Sequence, residues 1–273
     1  MIKTLESLSQ DNLIAVFNEA FSDYIIPVNL TPQMWEYRCK RDRIDPSASY
    51  GYFEDDKICG FILHGTAPGV WYNGGTGVIP SKRGRGITKK IYEKILEDAR
   101  KRNIKQMRLE VITTNTPAVK IYQDIGFKIS RELICFKGTS DIKPATNITI
   151  KENSEYRWDE LKSFWEYTPP WQLNREAVEK TKNALILAEA FAGVQKAGYI
   201  IYNPSAKQIM QFAAREDMRA EVFNALFNYI QQKYSPEMAV NNIDSAAARS
   251  LDFIRKAGLK ETIRQHEMIS NLL

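Results

Sequence analysis

Two stretches of this 273-residue chain bring together residue types that can do chemistry. The first is Gly77-Val78-Ile79-Pro80-Ser81-Lys82-Arg83-Gly84-Arg85-Gly86-Ile87-Thr88, between a strand pattern and a long helix pattern. Glycines let the backbone turn tightly and bring its N–H groups close to a ligand. The first turn of the following helix adds unpaired donors and the positive end of its dipole. Lys82, Arg83, Arg85, Lys89 and Lys90 add charge around that point. The combination suits a pyrophosphate or a similar anion; a solvated basic turn before a surface helix is the plain alternative. It matches neither the P-loop nor the dinucleotide Gly-x-Gly-x-x-Gly pattern.

The second stretch opens with Met107-Arg108-Leu109-Glu110-Val111-Ile112 and continues to Gly126. Alternation puts Met107, Leu109 and Val111 on one face of a strand and Glu110 on the other, with Ile112. Glutamate is depleted in strands, so Glu110 is either a paired structural carboxylate or a base. Asn115-Thr116-Pro117-Ala118 reads as a helix start, a polar cap with proline near the first helical position. Gly126 stands where a left-handed glycine ends that helix. Tyr122 falls one turn after Ala118 on the same face, as a core aromatic or as a group aimed at a ligand.

The elements that must position these residues follow from periodicity. Helices are predicted at about Gln10–Phe21, Pro32–Arg43, Thr88–Arg102 and Pro117–Ile125. Strands are predicted at Tyr50–Phe53, Ile58–His64, Trp71–Ile79, Met107–Ile112 and Arg131–Phe136. Gly74, Gly75 and Gly77 inside the third of these predict a bulge or a close backbone approach. The result is a mixed α/β order with a β-α-β-α-β run in the middle. A polar, turn-rich segment from Gly138 to Thr146, including Pro144, is the expected boundary between domains at 1–140 and 147–273.

Beyond it the sequence echoes itself. Cys59-Gly60-Phe61-Ile62-Leu63 returns as Ala197-Gly198-Tyr199-Ile200-Ile201. Asp124-Ile125-Gly126-Phe127-Lys128 returns as Lys256-Ala257-Gly258-Leu259-Lys260, and a helix at Ala220–Gln232 stands where Thr88–Arg102 stood. The second copy lacks the first one's chemistry. Phe212-Ala213-Ala214-Arg215-Glu216-Asp217-Met218 has no glycine and carries two acids, and Ile254 stands in the place of Tyr122.

Composition narrows the classes further. With 44% hydrophobic and 26% charged residues the chain has a globular composition. A net charge of +5 favours anionic ligands but supplies no extended nucleic-acid-binding surface. No apolar run approaches the roughly 18–20 residues of a membrane span, and the opening Met1-Ile2-Lys3-Thr4-Leu5-Glu6 shows no cleavable signal pattern. Cys39, Cys59 and Cys135, with His64 and His266, fit neither a disulfide framework nor a zinc spacing. A reduced, cytoplasmic setting is expected.

Val78-x-Pro80, Arg83-x-x-Gly86-x-Thr88, Leu109-Glu110-Val111, Asn115-x-x-Ala118-x-x-x-Tyr122 and Gly126-Phe127 together resemble the GCN5-related N-acetyltransferases. The resemblance runs from Gly77 to Phe127, with a compatible element order from Thr4 to Lys137. Thr88 departs from it, since the family has Gly or Ala there, and a small hydroxyl fits the same space. The implied fold is the acyl-CoA N-acyltransferase fold, here as two tandem domains, each a twisted mixed sheet flanked by helices, the second degenerate.

The implied activity is transfer of the acetyl group of acetyl-CoA to a primary amine of a small molecule or peptide by direct attack, with no metal. Thr76, Gly77 and Val78 would bond the pantetheine arm. Arg83, Gly84, Arg85, Gly86, Ile87, Thr88 and Lys89 would wrap the pyrophosphate, chiefly through backbone N–H groups. Asn115 would contact the pantetheine or the helix-side wall of the tunnel, Tyr122 would protonate the departing thiolate, and Glu110 would take the proton of the attacking amine, directly or through water. No cysteine has a histidine partner in the motif region, so no acyl-enzyme is implied. Phe21, Tyr24, Trp35, Tyr37, Trp71 and Tyr72 could line the acceptor pocket or could equally be core. The second half would cover the acceptor cleft, recognise substrate or form a homodimer interface; Trp158, Phe164, Trp165, Tyr167 and Trp171 could wall such a cleft or form core. The competing readings are a non-catalytic acyl-CoA-binding or sensing protein, and a nucleic-acid binder using the basic loop.

Overall fold

The computed structural model describes residues 1–24, 28–143 and 147–272. The chain divides into two compact units, one of residues 1–130 with 267–273 and one of residues 131–266. The expected boundary between 140 and 147 therefore lies inside the second unit, and Pro144 lies outside the described residues. The physical reason is the length of one strand. The sixth strand runs unbroken from Lys128 to Thr139, so the polar turn after it ends an element without separating two cores.

The first unit contains β1 (Ile2–Thr4), α1 (Gln10–Ala20), α2 (Pro32–Asp42), β2 (Tyr50–Glu54), β3 (Lys57–Ala67) and β4 (Val70–Val78), then α3 (Ile87–Lys101), β5 (Gln106–Ile112) and α4 (Thr116–Ile125). Strands β1 to β4 pair antiparallel in order, and β5 adds parallel to β4. The last residues of the chain's final strand stand next to β5, where Leu272 N donates to Lys105 O at 2.9 Å.

Two helix pairs cover this sheet. On α1 the residues Leu13, Ile14, Val16, Phe17 and Ala20 are buried, and Phe17 packs on Phe61 and Trp35. On α3 the stripe is Ile87, Ile91, Tyr92, Ile95 and Ala99, which meets Met107, Leu109 and Val111 of β5 in one core. Each isoleucine removed from water there contributes about 1.5–3 kcal/mol, which fixes the start of α3 against the sheet.

The second unit holds β6 (Lys128–Thr139) from Arg131 onward, β7 (Thr149–Asn153), α5 (Trp158–Lys162), α6 (Arg175–Thr181), β8 (Ile186–Ala192) and β9 (Gln195–Asn203). It continues through β10 (Gln208–Ala214), α7 (Arg219–Lys233), β11 (Glu237–Asp244), α8 (Ala248–Lys256) and the start of β12 (Lys260–Asn271). Strands β7 to β10 are antiparallel, β11 is parallel to β10, and β6 lies antiparallel beside β11. The two units repeat one plan, four antiparallel strands and a parallel fifth. In each the strand beyond the fifth comes from a distant part of the sequence. Among the described residues no helix is long and apolar enough to cross a membrane.

Candidate active site

The site in the first unit is created by two strands that part. The parallel pairing of β4 with β5 runs from Val70↔Gln106 to Asn73↔Leu109 and stops there, although β4 continues to Val78 and β5 to Ile112. A bulge sits at the point of parting. Leu63 pairs with Gly75 and His64 with Asn73, leaving Gly74 as the extra residue. Such an insertion bends the strand and ends regular pairing.

Asn73 pins the bend. Its Oδ1 accepts from Gly75 N at 2.9 Å, while its Nδ2 donates to Thr76 Oγ1 at 2.8 Å and to the Tyr92 hydroxyl at 2.6 Å. From the other side of the sheet, Arg38 Nη2 donates to the Gly74 carbonyl, and the fully buried Asp42 pairs with Arg41 at 2.6 Å. Gly77 is small for a reason unrelated to a ligand. A Cβ there would lie 2.5 Å from the Phe61 ring and 2.9 Å from Ala20 Cβ, so α1 could not close on the strand.

The loop after β4 makes a short helical turn at Pro80–Lys82 and then passes through Gly84 (φ 74°) and Gly86 (φ 70°). A Cβ at either position would meet nothing within 4 Å, so the demand for glycine is conformational: any other residue is strained there by about 1–2 kcal/mol. Gly86 caps α3 without a side-chain hydrogen bond, and the first turn Ile87-Thr88-Lys89-Lys90 has no acid. Two lysines at the positive end of a helix dipole are unfavourable by a few tenths of a kcal/mol to about 1 kcal/mol each. An anion bound at the uncapped N–H groups reverses that sign.

Not every cation of the loop faces such an anion. Lys82 Nζ and Arg85 Nη2 reach the Glu54 carboxylate at 2.7 and 3.1 Å. Arg83 is bound to Asp23 through two contacts of 2.7 Å. The Arg83 guanidinium in turn holds the Asp23 carboxyl below its ordinary range. The side chains of Arg83 and Arg85 are thus committed to carboxylates, and the loop offers a ligand its backbone.

Tyr122 of α4 is buried, with its ring edge-on to Tyr92 at 6.0 Å and Phe127 at 5.9 Å. Burial pushes its phenol up, partly offset by hydrogen bonding with Thr76 and Asn73. The structure therefore brings Tyr122 and Thr76 together at the parting of the strands. Asn115 caps α4, accepting from Ala118 N at 3.3 Å, and donates to the Tyr24 hydroxyl at 3.3 Å. Glu110 lies on the opposite face of β5 from Met107, Leu109 and Val111. It is in electrostatic reach of the buried Tyr72 phenol, as are Asp42, Arg41 and Arg38; burial, then Glu110, raises that phenol. Arg108 turns to Gln106.

Of the expected acceptor-pocket aromatics, Trp35, Trp71 and Tyr72 are core, at 4%, 3% and 3% exposure. Phe21 stacks on Phe17, Tyr37 lies under Arg41, and Tyr24 is the one tied to the site by its hydroxyl. Trp158, Phe164 and Trp171 are likewise buried in the second unit. Asn73, Tyr92, Arg38 and Asp42 escaped the sequence reading. Asn73 carried a signal, an asparagine inside a strand directly before Gly74 and Gly75; the others had none.

Residues 13–127 match the sequence model of the Acetyltransferase (GNAT) family. No curated protein matches the chain. Among solved structures, the tandem GNAT protein from the clavulanic acid biosynthesis pathway superposes with a TM-score of 0.70 at 12% identity, covering 100% of this chain and 98% of that one. The GCN5-related N-acetyltransferase from Sphaerobacter thermophilus gives 0.67 at 12% identity, covering 96% and 92%. At such identity the likeness establishes the fold alone: the two units repeat the fold of a tandem GNAT protein.

Proposed function

We propose that the chain transfers the acetyl group of acetyl-CoA to a primary amine, since residues 13–127 match the sequence model of the Acetyltransferase (GNAT) family. The observation that carries the proposal is the parting of β4 and β5 beside a glycine loop that ends in an uncapped helix. A pyrophosphate would lie on the backbone from Gly84 to Lys89, and the pantetheine arm would bond Thr76, Gly77 and Val78. Gly84 and Gly86 fit that use, since their left-handed backbone faces open space.

The chemistry assigned to the side chains follows from their states. An alkyl amine with a pKa near 10 is about 0.1% neutral at pH 7, a penalty of about 4 kcal/mol. Glu110 accepts the ammonium proton, directly or through water, and a positioned base is typically worth about 10²–10⁴-fold. The neutral amine attacks the thioester carbon, the C–N bond forms, and a strand N–H near Val78 takes the oxyanion. Collapse breaks the C–S bond and expels the CoA thiolate, which takes the Tyr122 proton, and the extra proton left on the new amide nitrogen returns to the Tyr122 phenolate. Burial keeps that phenol protonated, and the same dry surroundings raise the basicity of the thiolate.

The acceptor is a small molecule or a peptide amine. The test is isothermal titration with acetyl-CoA, paired with thiol release over a panel of amines. Binding with turnover on any amine supports the proposal; absence of binding removes it.

A further inference from the structure

Arg83 opens the glycine loop, yet its guanidinium is occupied entirely within the protein. Nε donates to Val78 O at 3.1 Å, Nη2 to Ala20 O at 2.9 Å and to Asp23 Oδ1 at 2.7 Å, and Nη1 to Asp23 Oδ2 at 2.7 Å. Ala20 ends α1, whose last turn has no basic residue, so Arg83 satisfies a carbonyl that the helix leaves open. One residue beyond Asp23, the Tyr24 hydroxyl accepts from Asn115 at the cap of α4. Residues 20–24 therefore join the loop on one side to the helix carrying Tyr122 on the other.

A carboxylate beside a loop that takes a pyrophosphate opposes the ligand by plain Coulomb repulsion. Its presence there calls for a separate task. We propose that Arg83 and Asp23 form a clasp through which the anion loop sets the position of residues 20–24, so that Arg83 is a positioning residue for the acceptor side of the site. The inference rests on the acetyl-CoA reading above. Arg83 and Asp23 side chains are 42% and 55% exposed, and such pairs are individually weak and open readily. A phosphate held by the backbone from Gly84 to Lys89 fixes the loop and raises the closed population of the clasp. By linkage, closing the clasp strengthens acetyl-CoA binding in the same proportion.

Repulsion and clasp predict opposite signs. If Asp23 is only a competing charge, Asp23→Asn tightens acetyl-CoA binding and changes nothing else. If it is half of a clasp, Asp23→Asn weakens binding by about fivefold. The experiment is titration of the full chain with acetyl-CoA, with hydrogen exchange of a peptide covering residues 18–24 in its presence and absence. The wild type should show slowed exchange there on adding acetyl-CoA. Asp23→Asn should lose the slowing at an unchanged Tm, and Asp23→Glu, which keeps the carboxylate, should recover it. Tighter binding, or slowing that survives in Asp23→Asn, overturns the clasp. Wild type that binds acetyl-CoA without slowing at 18–24 overturns the clasp alone; wild type that does not bind removes the acetyl-CoA reading with it.

Discussion

The turn from β4 into α3 and the turn from β10 into α7 are built on one register and end in opposite chemistry. Both strands carry a bulge at the same step. Gly74 is the extra residue in the first unit and Met210 in the second, where Ile209 pairs with Tyr202 and Gln211 with Ile201. Counting from there, Thr76 corresponds to Phe212 and Val78 to Ala214. Thr76 joins the polar group of Asn73, Tyr92 and Tyr122. The Phe212 ring instead packs edge-on against Phe223 and Phe227 of α7 at 4.9 and 5.2 Å. The loop that follows has Arg215 paired to Asp217, and Glu221 sits in the first turn of α7, where an acid complements the dipole. One unit leaves its helix terminus without an acid; the other supplies one from its own chain. Strand order is thus insensitive to whether the gap between the fourth and fifth strands is open or filled.

The largest effect should come from filling the gap. Thr76→Phe imports the second unit's residue and places a ring among Tyr92 and Tyr122, so acetyl-CoA binding should vanish in titration while the fold persists. The reverse change, Phe212→Thr, should leave binding intact and cost about 3 kcal/mol of stability through the cavity it opens. If Thr76→Phe still binds acetyl-CoA, the parting of β4 and β5 is not the substrate channel.

Next in size is the contrast between Tyr122 and Ile254. Both lie four residues before a left-handed glycine, Gly126 (φ 106°) and Gly258 (φ 89°). Tyr122→Phe keeps the ring packing and should lower turnover about 100-fold with acetyl-CoA affinity nearly unchanged, as expected for loss of a general acid. Full turnover in the variant would make Tyr122 a packing residue, equivalent to Ile254 in role as well as in place.

How much of this contrast the sequence displays depends on the range of the interactions. Gly84, Gly86, Asn115 and Gly126 act on their own backbone or within one turn, so their residue types announce them. The contrast of the second unit is legible in the same way, as acids and bulky residues where glycines stood. Arg38 and Asp23 act across the fold on Gly74 and Arg83, and nothing local marks them. The glycines of β4 announce a bulge or a close backbone approach, and the bulge falls at Gly74; what nothing local marks is that Gly77 makes room for Phe61 and Ala20, a contact set by α1 packing 57 positions away. The boundary drawn at Gly138 to Thr146 rests on a local signal of the same kind, and a polar turn marks the end of a strand as readily as the end of a core.

A third contrast is electrostatic. His64 and Tyr202 occupy equivalent register positions, paired with Asn73 and Ile209. Both are fully buried, and neither His64 Nε2 nor the Tyr202 hydroxyl has a hydrogen-bond partner among the described residues. Burial pushes the imidazole down to about 4, outweighing its bond to Ala48 O, whereas burial raises the phenol. The folded histidine therefore binds its proton later than the unfolded one on acidification. Its contribution to stability is present above the unfolded value of about 6.5 and lost as pH falls toward 4. The loss should be about 2 kcal/mol at pH 5 and about 3 kcal/mol at pH 4, read by denaturant unfolding. His64→Gln should flatten that segment of the profile, and Tyr202→Phe should not alter it.

The smallest expected effect concerns the caps of α4 and α8. Asn115 and Ala247 have nearly the same backbone, φ −83° and ψ 64° against φ −78° and ψ 64°. Only Asn115 caps its helix with a side chain. Asn115→Ala should cost about 1 kcal/mol, which lowers Tm by about 2–4 °C in a unit of this size. Asn115→Asp keeps the acceptor for Ala118 N and loses the donor to Tyr24. It should restore Tm but not the exchange protection of residues 18–24 in the presence of acetyl-CoA. The reciprocal change is not symmetrical. Ala247 is 1% exposed and part of the second unit's core, so Ala247→Asn would bury an amide and should destabilise despite supplying the missing cap. If instead Ala247→Asn raises Tm, the space at the head of α8 is as open as that at α4, and the second unit is less filled than Phe212 suggests.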